Sequence, residues 1–343
     1  MDRAVIATAT NQLKLERIEL DPPGPQEVGL RIEASGVCRS DLHVLETGWA
    51  HRYPVLLGHE AAAVVEVLGE GVKGLSVGDR VICGWRSPCG RCRACLRGDP
   101  RHCRRPPGPG ERVRLADGRP LSQMLQLGTF STRTVVHSSA VVPYPAALPP
   151  EQACLIGCCM ATGIGSVQNT ARLDKGARVG VIGCGAVGLS VVQGARLSGA
   201  AEIHAIDVDE KRAERALLFG ATHTDRGEDL EAVFDVVGNP ETLELGLELL
   251  GRGGSLVSIG LPLPGAMATI DLERFFDRRL RILVSHGGDH LPAEDFPRYA
   301  ALALAGEINL AGLVTKTIGL EYVESAFDDM RAGLGIRSVV LGF

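Results

Sequence analysis

Four cysteines crowd into one short stretch: Cys89, Cys92, Cys95 and Cys103, spaced C-x2-C-x2-C-x7-C. In a large chain, thiolates at that spacing are more often metal ligands than disulfide partners. Four of them close a tetrahedron and leave no open position, which is what a structural zinc ion needs. Seven arginines surround them: Arg86, Arg91, Arg93, Arg97, Arg101, Arg104 and Arg105. A nucleic-acid zinc module would carry a similar charge, yet no helical reader segment follows the cysteines and the whole chain is acidic. The arginines are therefore read as solvating a lobe over residues 85–112. A second set of metal-binding residue types is dispersed. Cys38 lies in GVCRSDLH, His59 in GHE and Cys158 in LIGCC. Two thiolates and one imidazole match a catalytic zinc, which keeps three protein ligands and leaves a fourth position for water or substrate. Taken singly, each is an ordinary buried cysteine or histidine, and sequence separation alone does not bring them together. Cys83, Cys154 and Cys184 sit in apolar stretches and read as small buried hydrophobes.

A third chemistry is written at Arg178–Gly188, RVGVIGCGAVG. An apolar strand runs into Gly183-Cys184-Gly185-Ala186-Val187-Gly188, and a helical pattern follows. That is G-x-G-x-x-G in its required setting. The first glycine makes the tight turn, the second lets a pyrophosphate approach the backbone, and the third lets the helix pack on the strand. The helix N-terminus then offers unpaired N–H groups to the phosphates. Asp207 closes the next strand, AEIHAID, 19 residues after Gly188. An acidic residue there accepts from the ribose hydroxyls and repels a 2′-phosphate, which favours NAD over NADP. Arg212, five residues on, is a counterweight that could attract such a phosphate.

The elements that must position these residues fall into three stretches. The first ~150 residues read as all-β, with Val/Ile-rich runs at Glu27–Glu33, Ala61–Leu68 and Asp79–Cys83 between Gly/Pro turns. A Pro/Arg/Gly-rich loop covers Arg104–Arg112, and Pro143–Pro150 reads as a connection. From Cys154 to His286 strand-like and helix-like runs alternate, predicting βαβ units and a parallel sheet with helices on both faces. The last ~55 residues revert, with amphipathic helices expected at Asp295–Ala305 and Tyr322–Met330 and a strand at Ser338–Leu341.

Composition sets the outer bounds. The chain has 343 residues, which predicts two domains, and 45% hydrophobic with 22% charged residues is an ordinary globular mix. Lys+Arg of 36 against Asp+Glu of 41 gives a net charge of −5 and argues against nucleic acid as a partner. No run reaches the ~20 apolar residues of a membrane span, and the charged N-terminus does not read as an export signal. A cytoplasmic protein without a membrane partner is expected.

Together the motifs resemble the zinc-dependent alcohol dehydrogenases of the medium-chain dehydrogenase/reductase family, over nearly the whole chain. The resemblance rests on GVCRSDLH at 36–43, GHE at 58–60, CGRCRACLRGDPRHC at 89–103, LIGCCMATGIGS at 155–166, VIGCGAVG at 181–188 and the C-terminal IRSVVLGF. It implies an α/β protein: a GroES-like, β-rich catalytic domain (1–159 and 288–343) and a doubly wound, parallel-sheet Rossmann domain binding NAD (160–287). It implies two zinc ions per chain. Cys38, His59 and Cys158 would hold the catalytic one; Cys159, where the family has a small residue, is a departure. Glu60 would stand behind that metal, and Asp41 would orient the His59 ring. Arg39 and Arg337 would contact the cofactor pyrophosphate, and Thr162 and Val187 would flank the nicotinamide. Ser40 would pass a proton toward His43. Hydride transfer between an alcohol or aldehyde and NAD is the implied reaction, and a homodimer or homotetramer the implied assembly.

Two further departures bear on substrate. Ala221–Asp235 is shorter than the family usually shows, so a helix is expected to be trimmed. The stretch Arg104–Val142, with GWRSPCGRCRAC, is similar to formaldehyde dehydrogenases acting on thiol adducts of the mycothiol type. Trp49 and Trp85, near the ligand motifs, could instead line a pocket for bulky alcohols or simply pack in the core. From a different class, a non-catalytic protein that binds NAD and zinc would share many of these motifs.

Overall fold

A computed structural model describes residues 2–49, 51–104 and 106–343. In chain order the N-terminal elements are β1 (Asp2–Ala9), β2 (Gln12–Leu20), β3 (Glu27–Gly36), α1 (Arg39–Thr47), β4 (Val55–Leu56), β5 (Glu60–Leu68), β6 (Arg80–Cys83), α2 (Arg93–Leu96), β7 (Val113–Leu115), β8 (Ser122–Gln123), β9 (Arg133–His137), β10 (Val141–Pro143) and α3 (Pro150–Ala153). There follow α4 (Cys159–Gly165), β11 (Arg178–Ile182), α5 (Ala186–Leu197), β12 (Glu202–Ile206), α6 (Glu210–Ala216), β13 (Leu230–Asp235), α7 (Pro240–Leu249), β14 (Leu250–Ser258), α8 (Leu272–Asp277) and β15 (Arg281–Val284). The chain closes with α9 (Pro292–Leu304), β16 (Val314–Ile318), α10 (Val323–Arg331) and β17 (Arg337–Leu341). It divides into two units, Met1–Cys158 with Leu291–Phe343, and Cys159–His290.

The first unit holds two sheets. One has seven strands in the order β10-β6-β5-β3-β17-β16, with β9 also paired to β3. The other has five, β7-β2-β1-β4-β8. Strand β3 shows why the period is two: Val28, Leu30, Ile32 and Ala34 are buried, and the first three pack with Ala63, Val65 and Val81 into one apolar cluster. The all-β expectation misses α1. Its sequence RSDLHVLET is short and polar, but Leu42, Val44 and Leu45 bury against Val5, Leu57, Phe130 and Phe327, and Gly48 ends it at φ 68°. Tertiary burial makes this helix, not propensity. Helix α10 supplies Val323, Ala326 and Phe327 to the same cluster, the face read from the sequence.

The second unit is a parallel sheet in the order β12-β11-β13-β14-β15. The alternating strands and helices read from the sequence are its βαβ units. Residues 220–229 contain no helix. What stands there is a single parallel bridge, His223 beside His204, on the outer edge of β12. Among the described residues no helix is long and apolar enough to cross a membrane.

Candidate functional site

Three elements of the first unit converge. Cys38 is the residue before α1, at that helix's positive end, where a thiolate is favoured. His59 directly precedes β5, and Cys158 follows a short 3-10 turn over Cys154–Gly157. The donor atoms of Cys38, His59, Glu60 and Cys158 all lie within 4.8 Å of one another. Sequence separations of 21 and 99 residues are closed by the fold. Cys158, not Cys159, reaches the cluster; Cys159 is buried at the start of α4.

Asp41 organises the cluster from behind. It is fully buried. Its Oδ1 accepts from the Gly58 N–H at 2.8 Å and lies 3.2 Å from His59 Nδ1; its Oδ2 accepts from the Cys38 N–H at 3.1 Å. A carboxylate beside Nδ1 fixes the proton there, so Nε2 carries the lone pair. Nε2 is buried and has no hydrogen-bond partner within the protein. A buried ring nitrogen left orphaned between two thiols fits a soft or borderline cation such as zinc. The electrostatics agree. A hydrogen bond from Cys158, with the Arg337 and His59 charges nearby, holds the Cys38 thiol well below its usual range. Burial alone would push His59 down, but Asp41 and Cys38 overrule it and hold it high. These are groups ready to exchange protons for a metal.

Glu60 and Arg337 meet side by side behind the cluster. Glu60 is fully buried, and burial pushes its carboxyl up to about 8. Arg337, at the start of β17, donates from Nη1 to the Val37 carbonyl at 2.7 Å and places Nη2 3.4 Å from Glu60 Oε1. That engagement lies inside the first unit, and Arg337 is 5% exposed. Gly36 is Glu60's partner across β3 and β5, and a Cβ there would collide with the Glu60 carboxylate. Only glycine leaves that space.

Ser40 and His43 lie three residues apart on α1, hence on one face, and both are half-buried. Arg39, beside them, is exposed. The Trp49 ring stands 5.8 Å from His43 and packs on the α1 cluster. Trp85 packs against the β3 cluster under the Arg86 guanidinium, 5.0 Å away, as a core residue would. The sequence reading passed over His51. Its Nε2 is buried without a hydrogen-bond partner, and burial lowers its pKa against the pull of Asp41. A second histidine in the loop between α1 and β4 was the available signal.

The four-cysteine lobe is built differently. Its sulfurs also lie within 4.8 Å of one another, with Cys92 Sγ 3.6 Å from Cys95 Sγ and 3.9 Å from Cys103 Sγ. Four thiolates at the usual ~2.3 Å from zinc would stand about 3.8 Å apart. The Cys95 and Arg104 backbone N–H groups draw Cys92 down to about 6, while partial burial pushes Cys95 up to about 11. Thiols so divided over their protons need a cation before all four can ionise.

In the second unit, β11 runs into Gly183 at φ 95°, and α5 starts after Gly185. A Cβ on Gly188 would strike the Gly183 carbonyl, whereas one on Gly185 would meet nothing, the space a pyrophosphate uses. Asp207 Oδ2 accepts from the Cys184 N–H at 2.8 Å and Oδ1 from the Asp209 N–H at 3.0 Å, so one carboxylate ties two turns. Arg212 lies 3.5 Å from Asp209. Thr162 is buried on α4, and Val187 is half-buried on the first turn of α5. Thus the structure gathers each predicted ligand set, and the glycine loop with Asp207, within its own unit.

Residues 24–146 match the alcohol dehydrogenase GroES-like domain, and residues 186–305 the zinc-binding dehydrogenase domain. An alcohol dehydrogenase zinc-binding domain protein from Burkholderia ambifaria is 28% identical, with a TM-score of 0.93 over 100% of this chain and 99% of that one. A benzyl alcohol dehydrogenase from Acinetobacter calcoaceticus is 25% identical, with a TM-score of 0.91 over 100% of both chains. An alcohol dehydrogenase from Thermus sp. ATN1 is 26% identical, with a TM-score of 0.84 over 99% of this chain and 100% of that one. On its fold, its two ligand clusters and these matches, the chain belongs to the zinc-binding alcohol dehydrogenases of the medium-chain dehydrogenase/reductase family.

Proposed function

We propose that this protein is an NAD-dependent alcohol dehydrogenase, transferring hydride between an alcohol, or the corresponding aldehyde, and NAD. The observation that carries the reading is the orphaned His59 Nε2 between Cys38 and Cys158, with Nδ1 held by Asp41. Three ligands from the chain leave an open coordination position, and a zinc ion bound there would make an alcohol hydroxyl acidic near neutral pH. Ser40 and His43 take the released proton along one face of α1. A hydroxyl both donates and accepts, and an imidazole can take a proton on one ring nitrogen and give one from the other. Glu60 supplies a buried counter-group whose charge Arg337 modulates. Asp207 favours NAD by accepting from the adenosine ribose. Cys89, Cys92, Cys95 and Cys103 hold a second zinc with no open position. A cytoplasmic homodimer or homotetramer is the proposed form; β15, paired only to β14 among the described residues and ending in exposed Val284, supports an association through that edge.

The test is a panel of alcohols and aldehydes with NAD and NADP, followed by cofactor absorbance and by zinc content. Aromatic alcohols head the panel, given Trp49 beside His43 and the resemblance to a benzyl alcohol dehydrogenase. Formaldehyde with and without small thiols belongs on it. We expect at least two zinc ions per chain and turnover that chelation abolishes. One zinc per chain, or no hydride transfer with any member, would overturn the reading in favour of a binding protein.

A further inference from the structure

We propose that Glu202, His204 and His223, on the outer edge of the second unit's sheet, form a third metal site, for a divalent transition-metal ion such as zinc or nickel. The donor atoms of these three side chains lie within 4.8 Å of one another. The strand geometry explains why. Glu202 and His204 are two apart on β12 and so share a face. His223 is bridged in parallel to His204, and the Ala205 N–H donates to the His223 carbonyl at 2.9 Å, which places the second imidazole beside the first. The two rings stack at 4.6 Å and 15°.

His204 is the residue whose surroundings ask for a cation. It is 4% exposed and stands between two carboxylates. Its Nδ1 is 2.5 Å from Asp225 Oδ1, and its Nε2 is 3.3 Å from Glu202 Oε2. If Nδ1–H donates to Asp225, the Nε2 lone pair faces Glu202 Oε2, which already accepts from Arg178 Nε at 2.8 Å, and a cation shared by the nitrogen and that carboxylate would relieve the contact. A proton could do so, but it would put an imidazolium directly under a second imidazole. A metal ion satisfies both rings and the carboxylate together, and imidazole with carboxylate suits zinc or nickel. The supporting contacts are those that hold metal ligands in place elsewhere. Asp225 backs His204, Thr222 Oγ1 lies 2.8 Å from His223 Nδ1, and Arg178 donates from Nε to Glu202 at 2.8 Å. Gly227 passes so close that a Cβ would lie 2.9 Å from the His204 ring, so residues 222–227 wrap the site. Three protein ligands leave the remaining positions to water. An ion there pins the segment after α6 onto β12, the strand that leads into Asp207.

The test uses the purified, untagged protein with its resident metals, dialysed against Ni2+, and compares it with H223Q, an exposed position that leaves the fold intact, and with D225N. We expect the wild type to take up one more equivalent of Ni2+ than H223Q at a concentration that saturates the site. D225N should bind about 10–100-fold more weakly. In crystals of the wild type soaked in Ni2+, anomalous scattering should place the ion against His204 and His223, a readout that needs no variant to fold. Equal uptake by wild type and H223Q, or no anomalous peak at these rings, would overturn the site. Zinc content and turnover are not involved, so this result stands or falls apart from the proposed activity.

Discussion

The two cysteine-containing clusters of the first unit solve opposite problems. In the lobe, four like ligands come from one short loop, are only half-buried, and differ in proton affinity through local backbone N–H groups and partial burial. In the dispersed centre, unlike ligands come from three distant elements, and behind them lies a buried layer of Asp41, Glu60 and Arg337. The comparison teaches that a closed metal site needs little beyond spacing. An open one must be held by the fold, because its missing ligand leaves the others free to collapse or turn away. Asp41 bonds to both the Cys38 and Gly58 backbones and to the His59 ring, so a single carboxylate sets two of the three ligands.

Several substitutions can break that contrast. C38A removes a ligand from the open centre. Turnover should fall by about a thousandfold or more, since a metal supplies several kcal/mol of transition-state stabilisation, while far-UV circular dichroism and the lobe's zinc remain. Retained activity would refute the contrast at its root. D41N should weaken zinc at the open centre by about 10–100-fold without touching a ligand, read as the rate of zinc loss to a chelator. C92A acts on the closed site and should lower thermal stability by roughly 5–10 °C, on the scale of about 2–4 °C per kcal/mol, while turnover per folded molecule is kept. If C92A abolished turnover with the fold intact, the lobe would not be merely structural.

The smallest effect concerns Glu60 in chelated protein. Burial holds its carboxyl at about 8, above the ordinary 4.5. The folded chain therefore keeps a proton that the unfolded chain releases, and stability falls as pH rises from about 4.5 to 8, with the whole loss incurred above that window. E60Q should flatten this slope in melting temperature against pH; an unchanged slope would place the titration elsewhere.

Much of this was legible beforehand, for identifiable reasons. The Cys89–Cys103 spacing and the Gly183–Gly188 loop with Asp207 are local, so chemistry and sequence coincide. The parallel sheet announced itself through alternating strand and helix periods. The dispersed ligands could be proposed only through the family's motifs, because nothing in the 20 and 98 intervening residues states that their ends meet. Helix α1 was lost among strands since its burial comes from Val5, Leu57, Phe130 and Phe327, residues far along the chain. The inward turn of Arg337 was likewise invisible: a charged residue near a terminal strand looks solvent-facing until Glu60 is found buried opposite it. The sequence leads one to expect no full helix after α6, but not that this stretch sets two imidazoles face to face.

Strand β17 lies between β3 and β16, and its first residue supplies the guanidinium beside Glu60. During synthesis, then, all three ligands of the dispersed centre leave the ribosome long before the cation that balances the carboxylate behind them. A nascent polypeptide halted ahead of residue 337 would own the ligands but lack the guanidinium beside Glu60 and leave an unfilled slot between β3 and β16. The dispersed centre thus leans on a residue far along the chain from its ligands, whereas the cysteine lobe draws its four thiols from one short loop.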